Sequence, residues 1–460
     1  MSLTKWKILW NTSTQVIGRL VGAGTTFFVS ILIARSFGAV GYGDFAKVTT
    51  YVALFYLMAD FGMNAVFLQK IHESDANEKS RMDTNTFWSE LLGVRVVGSI
   101  VLIFLALVIL VFLPQGIGQG YTAGVRLGII VFLPSILFQA IITTTNAQFQ
   151  RLLRYDFATI AILAGSLITI AAIWILVVSP LHTVGVIGVI GVIGLGSLIT
   201  AATALFFVQK LGSSLRFPIT GSTIKSYLTQ SLPLGMTLVF NLIYFRADHL
   251  ILTLSRSTAE VGIYGLAYKV FEFPLAVPTF FMNTVYPLMV KEAISEKQKV
   301  ISENFKTMFF RALTVLLIAS LLSLIAFWVA APLLSTVRPE FAASTAALRV
   351  LSLGLPFFFL TSLTMWTLIA LKRQTVLVFI YGGSMVVNVI LNAWLVPILG
   401  YMAAAWVTVG SEALVLATSA LYLRQALHNS VISSREYTND KPASPAGRST
   451  NIQMNNGMNK

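Results

Sequence analysis

Nine charged residues interrupt long apolar segments of this chain, and their chemistry most needs an explanation. They are Arg19, Asp60, Arg95, Arg246, Asp248, Lys269, Glu272, Arg349 and Glu412. A charge at the middle of a bilayer costs about 2.5–3.5 kcal/mol on the insertion scale, so charges inside membrane segments mark substrate or ion pathways. Arg suits phosphate oxygens because its planar fork of donors stays protonated. The pattern therefore predicts a hydrated central cavity that holds an anionic group.

We assign the two signs of charge to two roles. The predicted substrate-binding residues are Arg19, Arg95, Arg246, Lys269 and Arg349. The predicted ion-coupling or charge-pairing residues are Asp60, Asp248, Glu272 and Glu412, which would keep the basic groups charged or carry a coupling proton or sodium ion. In the structural alternative, these charges only form ion pairs that stabilise the fold. Arg19 or Arg95 would pair with Asp60, and Arg246 or Lys269 would pair with Asp248. We predict no catalytic residue and no metal site, because the chain has no Cys and its four His lack ligand spacing.

These charges lie in a chain that a bilayer must solvate. Hydrophobic residues make up 56% of the 460 residues and charged residues only 11%, which exceeds what a soluble fold can bury. A transmembrane helix needs about 20 apolar residues, and about twelve segments qualify. They lie at 12–34, 44–67, 86–113, 121–145, 157–179, 184–208, 228–254, 261–289, 309–334, 345–370, 374–397 and 401–423. The predicted fold class is an all-α polytopic membrane protein.

The loops between these segments alternate in basic content, which predicts the orientation. The basic loops hold Lys5, Lys7, Lys70, Lys79, Arg81, Arg151, Arg154, Lys210, Arg216, Lys225, Lys291, Lys297, Lys299, Lys306, Lys372, Arg373 and Arg424. The other set holds scattered charges such as Arg126, Arg256 and Arg338. Because basic loops stay in the cytoplasm, both termini are predicted to be cytoplasmic. The net charge of +14 could suggest that the protein binds nucleic acid. The alternation argues against this, because the basic residues lie in separate loops and not on one face.

The two halves of the chain repeat each other. Residues 41–48 (GYGDFAKV) return at 262–270 (GIYGLAYKV), and residues 63–67 (MNAVF) return at 282–286 (MNTVY). Six segments per half make the repeat parallel, as in transporters whose duplicated halves surround a cavity. We therefore predict a six-helix bundle at 1–208, a cytoplasmic linker at 209–227, a second six-helix bundle at 228–424 and a disordered cytoplasmic tail at 425–460. The tail is rich in Ser, Asn, Lys and Pro.

Several motifs resemble a known family. They are residues 32–43 (LIARSFGAVGYG), 59–63 (ADFGM), 231–234 (SLPL), 246–248 (RAD), 260–269 (EVGIYGLAYK), Asn388 to Asn392, Gly400 and residues 403–405 (AAA). In order and spacing they resemble bacterial polysaccharide transporters. The family is the O-antigen flippase group of the multidrug/oligosaccharidyl-lipid/polysaccharide exporter superfamily, and the resemblance covers residues 10–425.

The resemblance implies a fold and an activity. The fold is two six-helix bundles in a V around a central cavity. The activity is translocation of an undecaprenyl-diphosphate-linked oligosaccharide from the cytoplasmic to the periplasmic leaflet of the bacterial inner membrane by alternating access. Arg19, Arg246 and Lys269 are the positions that would engage the diphosphate or acidic sugars, and Asp248 matches the family's acid in the seventh segment. Membrane lipids and other polysaccharide assembly proteins are the implied partners.

Two alternatives remain open from the sequence. A drug/cation antiporter of the same superfamily would need an acidic, aromatic cavity, whereas the first segment here offers Arg19 and no acid. A membrane enzyme of the same glycan pathway would need a large outer loop with an acid/base constellation, and the outer loops are short. Because no Gly-Lys-Ser or Gly-Lys-Thr occurs, we expect no nucleotide cofactor. The drive would be an H⁺ or Na⁺ gradient or the gradient of the substrate.

Overall fold

The computed structural model describes residues 3–76, 84–116, 118–178, 185–213, 215, 219–292 and 302–439. Within these residues the named elements are all helices. They are α1 (Leu3–Asp60), α2 (Met63–Ala76), α3 (Thr84–Phe112), α4 (Ala123–Phe132), α5 (Ser135–Leu152), α6 (Tyr155–Val178), α7 (Gly185–Lys210), α8 (Gly221–Ser255), α9 (Thr258–Glu272), α10 (Ala276–Glu292), α11 (Glu303–Ala330), α12 (Leu334–Val337), α13 (Ala342–Ser352), α14 (Leu355–Ala370), α15 (Gln374–Leu399) and α16 (Tyr401–Asn439). Short 3-10 turns flank α12.

Helix α1 contains the first two predicted segments. Its 58 residues would extend about 87 Å if straight, roughly three times the hydrocarbon thickness of a bilayer. Gly38 interrupts the helix with φ 69° and ψ −169°, a left-handed conformation that Gly adopts without steric cost. The described residues contain 11 helices long and apolar enough to cross a membrane, and the first of these runs from Ser13 to Ile71. Since that one turns back at Gly38, the prediction of about twelve crossings is confirmed.

Breaks within the helices recur at matching positions of the two halves. The break between α4 and α5 at Pro134 corresponds to the break between α13 and α14 at Gly354, 220 residues later. Left-handed residues end helices at Leu153 (φ 53°) and again at Lys372 (φ 59°). A left-handed glycine also begins α7 at Gly185, and another directly precedes α16 at Gly400. The duplication therefore extends from the sequence motifs to the local backbone geometry.

The two halves are joined at one end of the bundle, which we call the closed end. It carries the turn at Gly38, the link between α3 and α4, the link between α8 and α9, and the turns around α12. A large apolar core of residues from both halves lies nearby. In it, the rings of Tyr42 and Phe341 meet edge to face with centroids 6.2 Å apart. The charge pattern of the loops predicts that this end is extracytoplasmic.

At the opposite end, helix α8 connects the two halves. Thr220 caps its first turn by accepting a hydrogen bond from the Thr223 backbone N–H at 3.1 Å. Tyr227 is fully buried in a core of the first half that also contains Phe67 and Trp88. The start of α8, which lies in the predicted linker at 209–227, therefore packs against the first half. Helix α16 runs to Asn439, and residues 440–460 of the predicted tail lie outside the described residues.

Candidate functional site

A central cavity lies between the two halves. It has a volume of about 220 Å³ and is lined by residues of α1, α4, α8 and α9. The lining residues are Thr26, Ser30, Tyr42, Phe45, Ala46, Thr49, Thr50, Ala53, Tyr56, Phe132, Arg246, His249, Gly265, Tyr268, Lys269 and Glu272. This wall contains both hydroxyl groups and aromatic rings. Its ionic groups all come from the second half.

Three of the predicted site residues form one cluster in this cavity. Arg246 on α8 donates a hydrogen bond to Glu272 Oε1 at 3.1 Å, and Lys269 donates to Glu272 Oε2 at 3.1 Å. Between 27 and 32% of each side chain is exposed, so the cluster faces open space. One carboxylate holds two cations and leaves one net positive charge. The pairing partner is Glu272, where the sequence alternative had named Asp248.

Arg19 faces the same cluster across a second opening. An apolar groove of about 500 Å³ separates α1 from α9 and α10, and Arg19, Lys269 and Glu272 all line it. The rest of the groove is mostly apolar, with Leu20, Ala23, Phe27, Phe273, Ala276, Val277 and Phe280. Arg19, Arg246 and Lys269 are therefore three cations against the single acid Glu272. This arrangement can hold an anionic group beside an apolar chain.

Asp248 lies behind the cavity in a buried network. Only 2% of the residue is exposed. Its carboxylate accepts hydrogen bonds from the His249 backbone N–H at 2.7 Å and the Tyr264 hydroxyl at 2.5 Å. The Thr408 hydroxyl of α16 points at the same carboxylate from 3.4 Å. The Nδ1 atom of His249 lies 3.1 Å from the same carboxylate. Asp248 therefore joins groups of α8, α9 and α16 in one network.

Glu412 lines a third cavity, inside the second half. This pocket has a volume of about 270 Å³ and its wall includes Asn241, Phe358, Tyr381 and Glu412. Glu412 is 2% exposed and accepts a hydrogen bond from the Tyr244 hydroxyl at 2.9 Å. The tyrosine fixes one carboxylate oxygen, and the side chain still faces the pocket.

Arg95 and Asp60 pair inside the first half. Arg95 Nη2 donates to Asp60 Oδ1 at 2.5 Å, and Arg95 Nη1 donates to the Asn64 Oδ1 and Thr144 Oγ1 atoms. The Arg95 side chain is fully buried, whereas 29% of the Asp60 side chain is exposed. Neither residue lines the three cavities above. The geometry matches the structural alternative of an ion pair that joins α1, α3 and α5.

Arg349 lies apart from the other predicted site residues. Its guanidinium carbon stands 5.7 Å from the centre of the Trp328 ring on α11, within the range of a cation–π contact. It lines none of the three cavities. Its place near the closed end therefore separates it from the cluster at Arg246.

Several residues of the site were not selected from the sequence. His249 and Tyr268 line the central cavity, and Tyr264 supplies a donor to Asp248. Tyr264 has a detectable signal, because it repeats Tyr42 at an offset of 222 residues. His249 directly follows the selected Asp248. The ring of His249 contacts the ring of Tyr264, with centroids 4.8 Å apart. The sequence does not show this contact, because it depends on how α8 and α9 pack.

Contacts across the halves seal the closed end. Lys47 on α1 is 1% exposed. Its Nζ donates across the halves to the Thr258 hydroxyl at 2.7 Å, and within the first half to the Gly120 carbonyl at 2.9 Å. Backbone bonds join Gly120 N–H to Thr253 O and Thr258 N–H to Gly118 O. A Cβ on Gly262 would overlap the carbonyl of Ala39. The helices α1 and α9 thus meet backbone to backbone, as small residues permit in membranes.

The comparisons with known proteins agree with this geometry. A family model described as "Polysaccharide biosynthesis protein" matches residues 7–293. A comparison with curated proteins gives no significant match. The solved structure titled "Lipid II flippase MurJ, inward closed conformation" superimposes with a TM-score of 0.72 at 15% identity, covering 95% of this chain and 94% of that one.

Multidrug transporters show the same architecture. An inward-facing MATE family transporter of the MOP superfamily superimposes with a TM-score of 0.68 at 13% identity, over 91% of this chain and 96% of that one. An outward-facing MATE transporter gives 0.59 at 13% identity, over 93% and 97%. The fold is therefore that of the MurJ and MATE transporters.

Proposed function

Because the chain belongs to the polysaccharide biosynthesis protein family, we propose that it is a flippase for a lipid-linked oligosaccharide. Its substrate would be an undecaprenyl-diphosphate-linked repeat unit of O-antigen or a related surface polysaccharide. The protein would move it from the cytoplasmic to the periplasmic leaflet of the inner membrane. The observation that carries this proposal is the cluster of Arg246 and Lys269 around Glu272, with Arg19 across the groove.

The charge of the cavity favours a diphosphate. Three cations and one acid line the central cavity and the groove, and partly desolvated cations bind phosphate oxygens with strong charge-assisted hydrogen bonds. A cationic drug would meet repulsion in the same place, because complementary charge selects between partners. This argument favours the flippase over the drug/cation antiporter.

The groove between α1 and α10 suits the lipid. Moving the charged head group through hydrocarbon costs several kcal/mol for each unsatisfied polar group. An apolar groove lined by Leu20, Phe27 and Phe280 beside Arg19 lets the prenyl chain stay in the bilayer while the diphosphate enters the cavity. We propose this groove as the lateral entry for the substrate.

The seal at the closed end supports an alternating-access cycle. In the proposed orientation the end opposite the seal would be cytoplasmic, so the present state would open toward the cytoplasm. The cycle needs a drive, and the buried carboxylate of Asp248 among its donors is the group we propose for coupling to H⁺ or Na⁺. Glu272 would pair the cations when no substrate is bound.

The decisive experiment follows the substrate in cells. A strain lacking the gene receives wild type, Arg19→Ala or Arg246→Ala, and surface glycan is measured together with lipid-linked repeat units on each leaflet. We expect wild type to restore surface glycan, and both variants to leave units on the cytoplasmic leaflet at unchanged protein levels. Normal export by both variants contradicts the assignment of these arginines. Unchanged glycan with raised sensitivity to cationic drugs supports the antiporter.

A further inference from the structure

The pocket around Glu412 is separate from the cation cluster and has a different chemistry. It lies among α8, α10, α14, α15 and α16, inside the second half. Its volume of about 270 Å³ lies just below the range of drug-sized sites, about 300–1,000 Å³. The pocket therefore has room for one ring-sized group rather than a whole oligosaccharide. Unlike the central cavity, its wall contains a single charged residue, Glu412.

One wall of the pocket is aromatic. The rings of Phe245 and Phe358 lie near parallel, with centroids 5.9 Å apart and an interplanar angle of 30°, and Tyr381 adds a third ring from α15. The faces of aromatic rings carry negative charge and attract weakly positive C–H groups. A flat apolar face with C–H groups is the shape and charge that this wall complements.

Polar side chains also line the pocket, between the apolar residues Leu275, Pro278 and Met365. Asn241 on α8, an exposed residue, and Ser362 on α14, a partly buried one, both line the pocket. Glu412 on α16 has one oxygen held by the Tyr244 hydroxyl at 2.9 Å. An amide both donates and accepts hydrogen bonds, a hydroxyl does the same, and a carboxylate accepts. This set matches a ligand that carries several hydroxyl groups.

We propose that this pocket binds the first sugar of the transported lipid, a neutral or amino-substituted hexose. The inference rests on the proposed flippase function. A pyranose ring presents C–H groups on its face and hydroxyls on its rim, which fits the aromatic and polar walls together. A uronic acid is disfavoured, because its carboxylate would lie beside Glu412. The amino or amide N–H of a substituted sugar can instead donate a hydrogen bond to the Glu412 carboxylate.

The position of the pocket specifies which sugar it takes. Phe245 lines the pocket and Arg246, the next residue of α8, lines the central cavity. Thr279 on α10 lines both the pocket and the apolar groove. A diphosphate held at Arg246 and Lys269 thus puts the directly attached sugar beside the pocket, with the prenyl chain in the groove. More distant sugars would stay in the central cavity.

The test uses the full-length protein in lipid nanodiscs and three synthetic probes. They are farnesyl diphosphate, the same diphosphate carrying N-acetylglucosamine, and the same diphosphate carrying glucuronic acid. Dissociation constants are measured by tryptophan fluorescence. We expect the N-acetylglucosamine probe to bind about fivefold to tenfold tighter than farnesyl diphosphate, the size of one or two net hydrogen bonds. The glucuronic acid probe should gain no affinity.

Two variants test whether the additional affinity of the N-acetylglucosamine probe comes from this pocket. Asn241→Ala and Ser362→Ala should each remove most of the advantage of the N-acetylglucosamine probe and leave the affinity for farnesyl diphosphate unchanged, which also shows that the variants fold. Thr418→Ala is the matched control, because its hydroxyl bonds only to its own helix and lines none of the cavities.

The outcomes separate the two proposals. If farnesyl diphosphate binds through Arg246 but N-acetylglucosamine adds nothing, or adds the same in both variants, the pocket assignment is overturned and the flippase proposal stands. If glucuronic acid raises affinity as much as N-acetylglucosamine, the predicted selectivity is overturned. If farnesyl diphosphate does not bind and Arg246→Ala has no effect, the flippase proposal itself fails.

Discussion

Lys47 and Lys269 occupy equivalent positions of the two repeats, 222 residues apart, yet their ammonium groups bind opposite kinds of partner. Lys47 is buried between the halves and bonds to uncharged oxygens, the Gly120 carbonyl and the Thr258 hydroxyl. Lys269 is 32% exposed in the cavity and pairs with the carboxylate of Glu272. One lysine of the repeat therefore holds the closed end together, and the other lines the central cavity.

The first prediction concerns this closure. In Lys47→Met the buried hydrogen bond to Thr258 across the halves is lost, together with the bond to Gly120 O, which positions the α3–α4 link at the same contact. The closed end should therefore separate more easily. The measurement is spin-label distance by electron resonance between cysteines at Phe112 and Leu399, both exposed, in a chain that has no native Cys. We expect the distance distribution to shift to longer values.

Two controls test this interpretation. Lys225→Met removes an exposed lysine at the opposite end and should leave the distribution unchanged. Thr258→Val removes one of the two acceptors of Lys47 and should shift the distribution in the same direction. An unchanged distribution in Lys47→Met means that the small-residue contact of α1 and α9 is sufficient for closure.

The second prediction concerns Glu272. Its carboxylate pairs with Arg246 and Lys269 and so competes with a diphosphate for the same donors. Each such partly exposed pair is worth up to about 1 kcal/mol. Glu272→Gln should therefore bind farnesyl diphosphate about threefold to tenfold tighter, and transport in proteoliposomes should slow because release is slower. The measurements are the dissociation constant and the flipping rate of a fluorescent prenyl diphosphate.

Glu260→Gln is the matched control for this change. Glu260 pairs with Arg256 at the closed end, outside the three cavities, so its substitution should leave both quantities unchanged. Weaker binding by Glu272→Gln would show that the carboxylate positions the two cations for the ligand instead of competing with it.

The third prediction concerns Arg95 and Asp60. Breaking a buried ion pair costs about 3–5 kcal/mol, because one charge stays buried without its partner. Asp60→Asn leaves the fully buried guanidinium of Arg95 without its carboxylate partner. The thermal unfolding temperature, measured by tryptophan fluorescence, should therefore fall. Adding Arg95→Met should recover part of the loss, since the orphaned charge is then gone.

A surface pair provides the comparison. Arg154 and Asp156 form an ion pair at 2.9 Å with 44% and 24% of their side chains exposed, so Asp156→Asn should change stability by at most about 1 kcal/mol. If Asp60→Asn is no more destabilising than Asp156→Asn, the pair does not stabilise the first half. A loss of ligand affinity without a loss of stability would return Arg95 to the substrate-binding residues.

The helical architecture could be predicted because it depends on local composition. Long apolar runs correspond to the helices, and the segment predicted at 374–397 is α15, Gln374–Leu399. The motifs shared with polysaccharide transporters were equally local, and the family match over residues 7–293 confirms the resemblance for the motifs within that range. Basic loops predict an orientation in the same way, which stays a prediction.

The ion-pair partners of the charged residues were harder to predict from the sequence. The depth of a residue in the membrane does not give the direction in which its side chain leaves the helix. Lys269 and Glu272 are three residues apart on one helix, so this pair was accessible from spacing. Arg246 reaches Glu272 only because α8 packs on α9, and Arg349 turns to Trp328 because α13 packs on α11. These directions come from tertiary packing, which no single segment encodes.

The last prediction concerns Asp248 and the ion gradient that would power flipping. Its carboxylate is buried behind the cavity, and its donors come from α8, α9 and α16, so its occupancy by a cation would change how these three helices pack. Asp248→Asn keeps the size of the side chain but removes the negative charge that attracts a proton or Na⁺. In proteoliposomes, an imposed gradient of H⁺ or Na⁺ should accelerate flipping of a fluorescent prenyl diphosphate by wild type. The same gradient should not accelerate flipping by Asp248→Asn. The affinity of this variant for farnesyl diphosphate should stay within about twofold of wild type, because Arg246 and Lys269 are unchanged. If the gradient accelerates the variant as much as wild type, Asp248 is not the coupling group. If wild type responds to neither gradient, an ion gradient does not drive flipping.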